Sequence, residues 1–150
     1  MADIHVEEFF KDLAKVLARL YAVFPRATTV FVEDLIGPDE PDEFGMHSER
    51  HAACFATLLW LADEGYIRYE STIRQEAIDQ AVLTALCFNA LMSAAPTESD
   101  AADSNLPESV RVEHQTTIHR LREALKLHSS SALRRIVVDL MARLGRQAIR

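Results

Sequence analysis

The sequence predicts a mainly α chain with a small β-hairpin, an α+β domain followed by a C-terminal helical hairpin. Three observations predict it. Apolar residues recur at three-then-four spacing near both ends of the chain. Two short runs rich in β-branched and aromatic residues stand between helix-stopping Pro and Gly residues. A polar stretch near residue 100 separates an acidic front from a basic tail. With 150 residues, 49 % apolar and only four Gly and five Pro, the chain has room for one core or a small domain with an appendage, and it is not a disordered or collagenous sequence.

From Val6 to Phe24 the apolar positions 6, 9, 10, 13, 16, 17, 20, 21 and 24 stack on one helical face. Pro25 ends that helix. Thr28 to Val32 suits a short strand, Glu33 to Ile36 a brief helix closed by Gly37, and residues 37–45, with Pro38, Pro41 and four acids, a turn-rich loop. Ser48 is placed to cap a third helix, with Ala52, Phe55, Leu58, Leu59 and Ala62 as its inner stripe and Gly65 as its terminator. Tyr66 to Glu70 and Ile78 to Leu83 then read as two antiparallel strands joined through Ser71 to Ala77, and Thr84 as the cap of a closing helix running to Ser93.

Those elements make a first domain over residues 1–94. Residues 95–106 contain almost nothing to bury and form the polar linker, and residues 107–150 form a basic two-helix extension. In the extension His114, Ile118, Leu121 and Leu125 repeat at four, three and four, and Leu133, Val137, Leu140 and Leu144 repeat the rhythm. Each seam is about two heptads, too short to stand alone, so the helices pack on one another, on the front domain or on a second subunit. Ile118, Leu121, Leu125, Leu133, Val137, Leu140 and Leu144 are therefore the candidate residues of a homodimer interface.

The net charge of −7 hides a split. Through residue 95 seven Lys and Arg face sixteen Asp and Glu, whereas residues 109–150 hold nine basic and three acidic side chains. Such asymmetry suits docking between regions, or an anionic partner for the tail. The longest nearly apolar stretch, Ala52 to Ala62, is too short to span a bilayer, and Asp3, Glu7 and Glu8 stand where a signal peptide carries positive charge, so a cytoplasmic chain is expected. Cys54 and Cys87 lie in apolar helical surroundings and are expected as buried thiols.

The order helix, strand, short helix, longer helix, hairpin and closing helix, together with TLLWLADEGYIRYESTIRQEAIDQAVLTALCFNAL over residues 57–91, resembles the winged helix-turn-helix superfamily in its bacterial members. The closest echoes are LADEGYI, a helix ending in Gly65 and feeding a wing strand, and AVLTALCFNAL, a strand running into a Leu-Thr helix start; where many members carry Lys-Gly in that last helix, this chain has Leu86-Cys87. The likeness covers residues 5–94 and is one of element types. It implies that the third helix enters a DNA major groove, that the wing reaches the minor groove or phosphates, and that the appended helices dimerise. The residues so presented are His47, Ser48, Glu49, Arg50 and His51 at the helix start and Arg68, Ser71, Thr72, Arg74 and Gln75 on the wing. Ser48, Arg50, His51, Arg68, Thr72, Arg74 and Gln75 are the candidate contacts to double-stranded DNA.

Charge opposes that reading, because Asp39, Glu40, Asp42 and Glu43 directly precede the third helix and repel phosphates. The alternative is an acidic protein-interaction or assembly module that dimerises through its tail and binds no DNA. No Ser-His-Asp order, phosphate loop or nucleophile elbow is present, and the carboxylate pairs Glu76/Asp79 and Asp63/Glu64 lack a convergent cleft, so no enzyme, catalytic residue or cofactor is expected. His47 and His51, four apart, can share a helical face, but no third ligand stands in fixed register; ordinary surface histidines and no metal are expected. Trp60, Phe55 and Leu59 read as core.

Overall fold

A computed structural model describes residues 3–95 and 107–148. It is mainly α with a small antiparallel sheet, seven helices and four strands among the described residues, as the hydrophobic patterning predicts. None of those helices is long and apolar enough to cross a membrane. The chain divides into two compact units, one ending at Thr84 and one beginning at Ala85.

In the first unit, α1 (Ile4–Val23) buries Phe10, Leu13, Val16, Leu17 and Leu20 along its expected stripe. β1 (Thr28–Phe31) and α2 (Val32–Ile36) follow, and α2 stops where Gly37 takes a φ of 93°. α3 (Glu49–Asp63) starts at Ser48, whose hydroxyl accepts the His51 backbone N–H, and ends before Gly65 at φ 80°. A residue with a Cβ at that left-handed position is strained, so glycine supplies the stop.

β2 (Ile67–Arg68), β3 (Ser71–Ile73) and β4 (Ala77–Leu83) complete the sheet, in the order β1-β4-β2 with β3 also on β4. Ile67 lies opposite Leu83, Ser71 opposite Asp79 and Ile73 opposite Ala77. The two expected strands are thus antiparallel, but the expected connection over residues 71–77 is mostly strand. Only Arg74 to Glu76 turn, with Arg74 and Gln75 at φ 49° and 62° and the Glu76 N–H donating to the Ile73 carbonyl at 2.7 Å. Two successive left-handed residues give the turn a twist that matches the strands.

The inner stripe of α3 differs from the one expected. His51, Cys54, Thr57, Leu58 and Leu61 are buried, whereas Ala52 is exposed and Phe55, Leu59 and Ala62 are half-buried. Alanine buries little area on either face, so the heavier Cys54, Leu58 and Leu61 set the rotation. Trp60 stands edge-on to Phe9 at 5.1 Å and to Tyr66 at 5.5 Å between ring centroids.

The second unit contains α4 (Ala85–Met92), α5 (Glu108–His114), α6 (Thr117–Lys126) and α7 (Ser130–Ala148). The boundary therefore falls before α4, not after residue 94, because Cys87, Ala90 and Leu91 of α4 pack on α6 and α7. Thr84, expected to cap α4, donates its hydroxyl to the Gly65 and Tyr66 carbonyls. Of the expected linker, residues 96–106 lie outside the described residues, and Ala95 is buried with its N–H on the Gln115 carbonyl at 2.7 Å. The expected first tail helix is two helices, α5 and α6, broken where Thr116 caps α6 by accepting the His119 N–H. Arg143 of α7 locks this arrangement, donating to the Thr117 hydroxyl at 2.7 Å while it pairs with Asp139 at 2.9 Å.

Candidate functional site

The residues that start α3 are brought to the loop before it and to the β3–β4 turn. Asp42 folds the loop: its carboxylate accepts the backbone N–H groups of Phe44 and Met46, both at 2.9 Å, and its own N–H donates to the Met46 carbonyl. The closed loop sets Asp39 beside the helix start, where it accepts the Ser48 backbone N–H at 3.1 Å and meets His47 Nδ1 at 2.9 Å. On its other side His47 Nε2 lies 3.5 Å from Glu76 Oε1 at the hairpin turn. The His47 and His51 rings stack with centroids 3.7 Å apart and planes 7° from parallel.

Each of these contacts has an electrostatic consequence. Hydrogen bonding by the Ser48 side chain, then by His47 and the Ser48 N–H, pulls Asp39 down to about 2. Burial, and then the neighbouring His47, lowers the His51 pKa. His51 is 1 % exposed and its Nε2 has no hydrogen-bond partner. Ligand atoms of Asp39, His47 and His51 all lie within 4.8 Å of one another.

Arg50, the strongest expected DNA contact on α3, turns back onto α1. Its Nη1 and Nη2 donate to Asp12 Oδ2 and Oδ1, each at 2.6 Å, and Nε lies 3.4 Å from Glu8. Asp12 is buried, and its hydrogen bonds raise the Arg50 pKa further. His51 is interior and Ser48 is committed to its cap. At the start of α3, His51 is therefore corrected from a presented residue to a buried one, and Arg50 is paired within the chain, because a buried carboxylate requires a cation, while Ser48 and Glu49 stay exposed.

The hairpin residues are placed differently. Arg68, Thr72, Arg74 and Gln75 are all exposed, Arg68 and Thr72 on strands and Arg74 and Gln75 in the turn. The carboxylates considered as a pair go separate ways, since Asp79 accepts from the Thr29 hydroxyl at 2.7 Å while Glu76 faces His47. Both cysteines are buried thiols, and burial pushes each up to about 12, so neither is a nucleophile near neutral pH.

The seven candidate interface residues are corrected as well. Ile118, Leu121, Leu133, Val137, Leu140 and Leu144 are buried and Leu125 half-buried within a single chain, where α4, α6 and α7 meet. They form the core of the second unit. Two tail helices lacked enough apolar area to cover their seams, and α4 provides the third wall.

Sequence reasoning found the His47–His51 spacing but missed Asp39 and Glu76, which reach the pair through a closed loop and a hairpin turn, and missed Asp12, 38 residues from Arg50. The one available signal was Asp42 ahead of Gly45, a turn-forming pair that folds Asp39 back. Comparison with protein-family models, with curated proteins and with solved structures finds no match.

Proposed function

We propose that this chain is a non-enzymatic winged-helix protein-contact module that assembles with itself and does not read duplex DNA through α3. The α1-β1-α2-α3-hairpin order with β4 between β1 and β2 supports the winged-helix reading. The observation that carries the protein-contact reading is the bidentate Arg50–Asp12 pair, which leaves the exposed positions of α3 to Glu49, Ala52, Ala53, Ala56 and Asp63. Small and acidic side chains neither neutralise phosphates nor reach base edges as donors. An acidic first unit suits a basic partner, and the second unit of another copy, with nine basic against three acidic residues over 109–150, offers that charge.

Sedimentation velocity on the full chain tests self-assembly. A dimer at about 20 mM salt that dissociates near 500 mM is expected, since such a contact is screened within about 5 Å at the higher salt. A monomer at both salts removes it. One observation favours a second reading, the exposed Arg68, Thr72, Arg74 and Gln75 on a single hairpin. Titrating labelled duplex at about 20 mM salt separates the two, because electrostatic binding to DNA is strongest there. Absence of saturation is expected, whereas saturable, steeply salt-dependent binding lost in Arg68→Ala and Arg74→Ala establishes DNA contact through the wing.

A further inference from the structure

The geometry points to a divalent transition-metal site of the zinc class at the start of α3, with Asp39, His47 and His51 as its protein ligands. This inference is independent of the partner reading above. The donor set comes first: two imidazoles and one carboxylate suit Zn²⁺ and its first-row neighbours, whereas Ca²⁺ and Mg²⁺ require oxygen shells that these residues do not supply. Geometry comes second. Tetrahedral zinc with bonds of about 2.0–2.1 Å holds its ligand atoms roughly 3.3 Å apart. Asp39 Oδ2 and His47 Nδ1 are 2.9 Å apart and the whole set lies within 4.8 Å, so modest rotation of the two stacked rings makes the ligands converge.

The independent observation is His51. A histidine 1 % exposed, on the inner face of a helix, with a buried Nε2 that no protein group meets, carries an unmet polar cost that an apolar side chain would avoid. A metal ion is a partner that discharges it. The surroundings also match what metal ligands need. A His47 that binds through Nδ1 turns Nε2 toward Glu76, the carboxylate that orients a ligating imidazole in many zinc sites. Three protein ligands leave a fourth position for water or for a donor from a partner.

The test uses the untagged, metal-stripped full chain. Zn²⁺ competition against a chromophoric chelator is expected to show one equivalent bound, and Co²⁺ to give the intense visible bands of a four-coordinate ion. His47→Gln and Asp39→Asn are each expected to weaken Zn²⁺ at least tenfold, the scale of a lost ligand or orienting group, with Trp60 fluorescence unchanged. Zn²⁺ is also expected to raise the thermal midpoint of the wild-type chain and not that of Asp39→Asn. Absence of binding at about 100 μM Zn²⁺, far weaker than zinc sites bind, overturns the inference. Binding that survives both substitutions overturns it equally, since the metal then sits elsewhere. Should His47→Gln fail to fold, Asp39→Asn, which keeps an acceptor for the Ser48 N–H, and the wild-type melting shift decide the matter.

Discussion

Replacing Arg50 with Met keeps the volume of the side chain but strands the Asp12 carboxylate, and the two partners differ in what they can do when separated. Asp12 is 1 % exposed and cannot reach water, whereas the Arg50 side chain is 31 % exposed and can turn outward. Two 2.6 Å hydrogen bonds put the charge centres roughly 4 Å apart, where an effective dielectric near 20 gives about 4 kcal/mol. Breaking a buried pair from one side costs about 3–5 kcal/mol, and solvent at Arg50 trims this to about 2–4 kcal/mol for Arg50→Met. Asp12→Asn retains an acceptor and leaves the cation free to hydrate, so about 1–2 kcal/mol is expected. The double variant Asp12→Leu/Arg50→Met should recover much of the loss. Urea unfolding followed by Trp60 fluorescence reports on the first unit, because that ring packs on Phe9 and Tyr66. A cost for Arg50→Met below that of Asp12→Asn refutes the reasoning, since a surface arginine awaiting an anionic ligand contributes little to folding.

At about 500 mM salt, where the proposed dimer is dissociated, Leu140→Ala should destabilise the second unit by about 3 kcal/mol, the cost of a fully buried cavity, with a far-UV circular-dichroism melting midpoint that does not move with protein concentration; a midpoint that rises with concentration at that salt would return Leu140 to a subunit interface. Stability should also fall on acidification. Because the folded pKa of His51 lies below its ordinary 6.5, the unfolded chain binds the extra proton first; the contribution is complete above pH 6.5 and is lost as pH drops toward the folded value, by at most about 1.4 kcal/mol per pH unit. Urea midpoints of the metal-free chain between pH 7.5 and 5.5 read this slope, and an identical slope in His51→Asn refutes the assignment.

Local signals carried most of the first unit. The 3.6-residue period of α1, the Ser48 cap and the Gly65 stop depend on neighbours a few residues away and stand where the sequence puts them, and the two β-rich runs do so in shortened form, as Thr28–Phe31 and Ile67–Arg68. The rotation of α3 was not legible, because Ala52, Ala56 and Ala62 give no preference between faces. Neither was the allegiance of α4: a short helix with Cys87, Ala90 and Leu91 on one side closes a domain in either direction along the chain, and only the seams of α6 and α7 decide which. The break at Thr116 carried a visible capping residue, hidden beneath an apolar rhythm that runs across it. At the candidate site the two histidines shared a turn of helix and were visible, while Asp39, Glu76 and Asp12 arrive through tertiary contacts for which a single sequence holds no local mark.

The acids around α3 are not an undifferentiated negative field. Asp42 folds its loop, Asp39 holds the helix start and a histidine, and Asp12 consumes Arg50, so three carboxylates serve folding while Glu40, Glu43 and Glu49 stay in solvent. This division decides what the helix can offer. To read a groove, α3 would need a free cation near its N-terminus, and freeing Arg50 would leave Asp12 buried and charged at a cost comparable to a large part of the stability of a small domain. An apolar residue at position 12 removes that cost and releases the guanidinium together. The carboxylate on α1 thus couples the stability of the first unit to the chemistry of its α3 surface, and Asp12→Leu is expected to free Arg50 for contact with duplex DNA at a stability cost no smaller than the about 1–2 kcal/mol of Asp12→Asn.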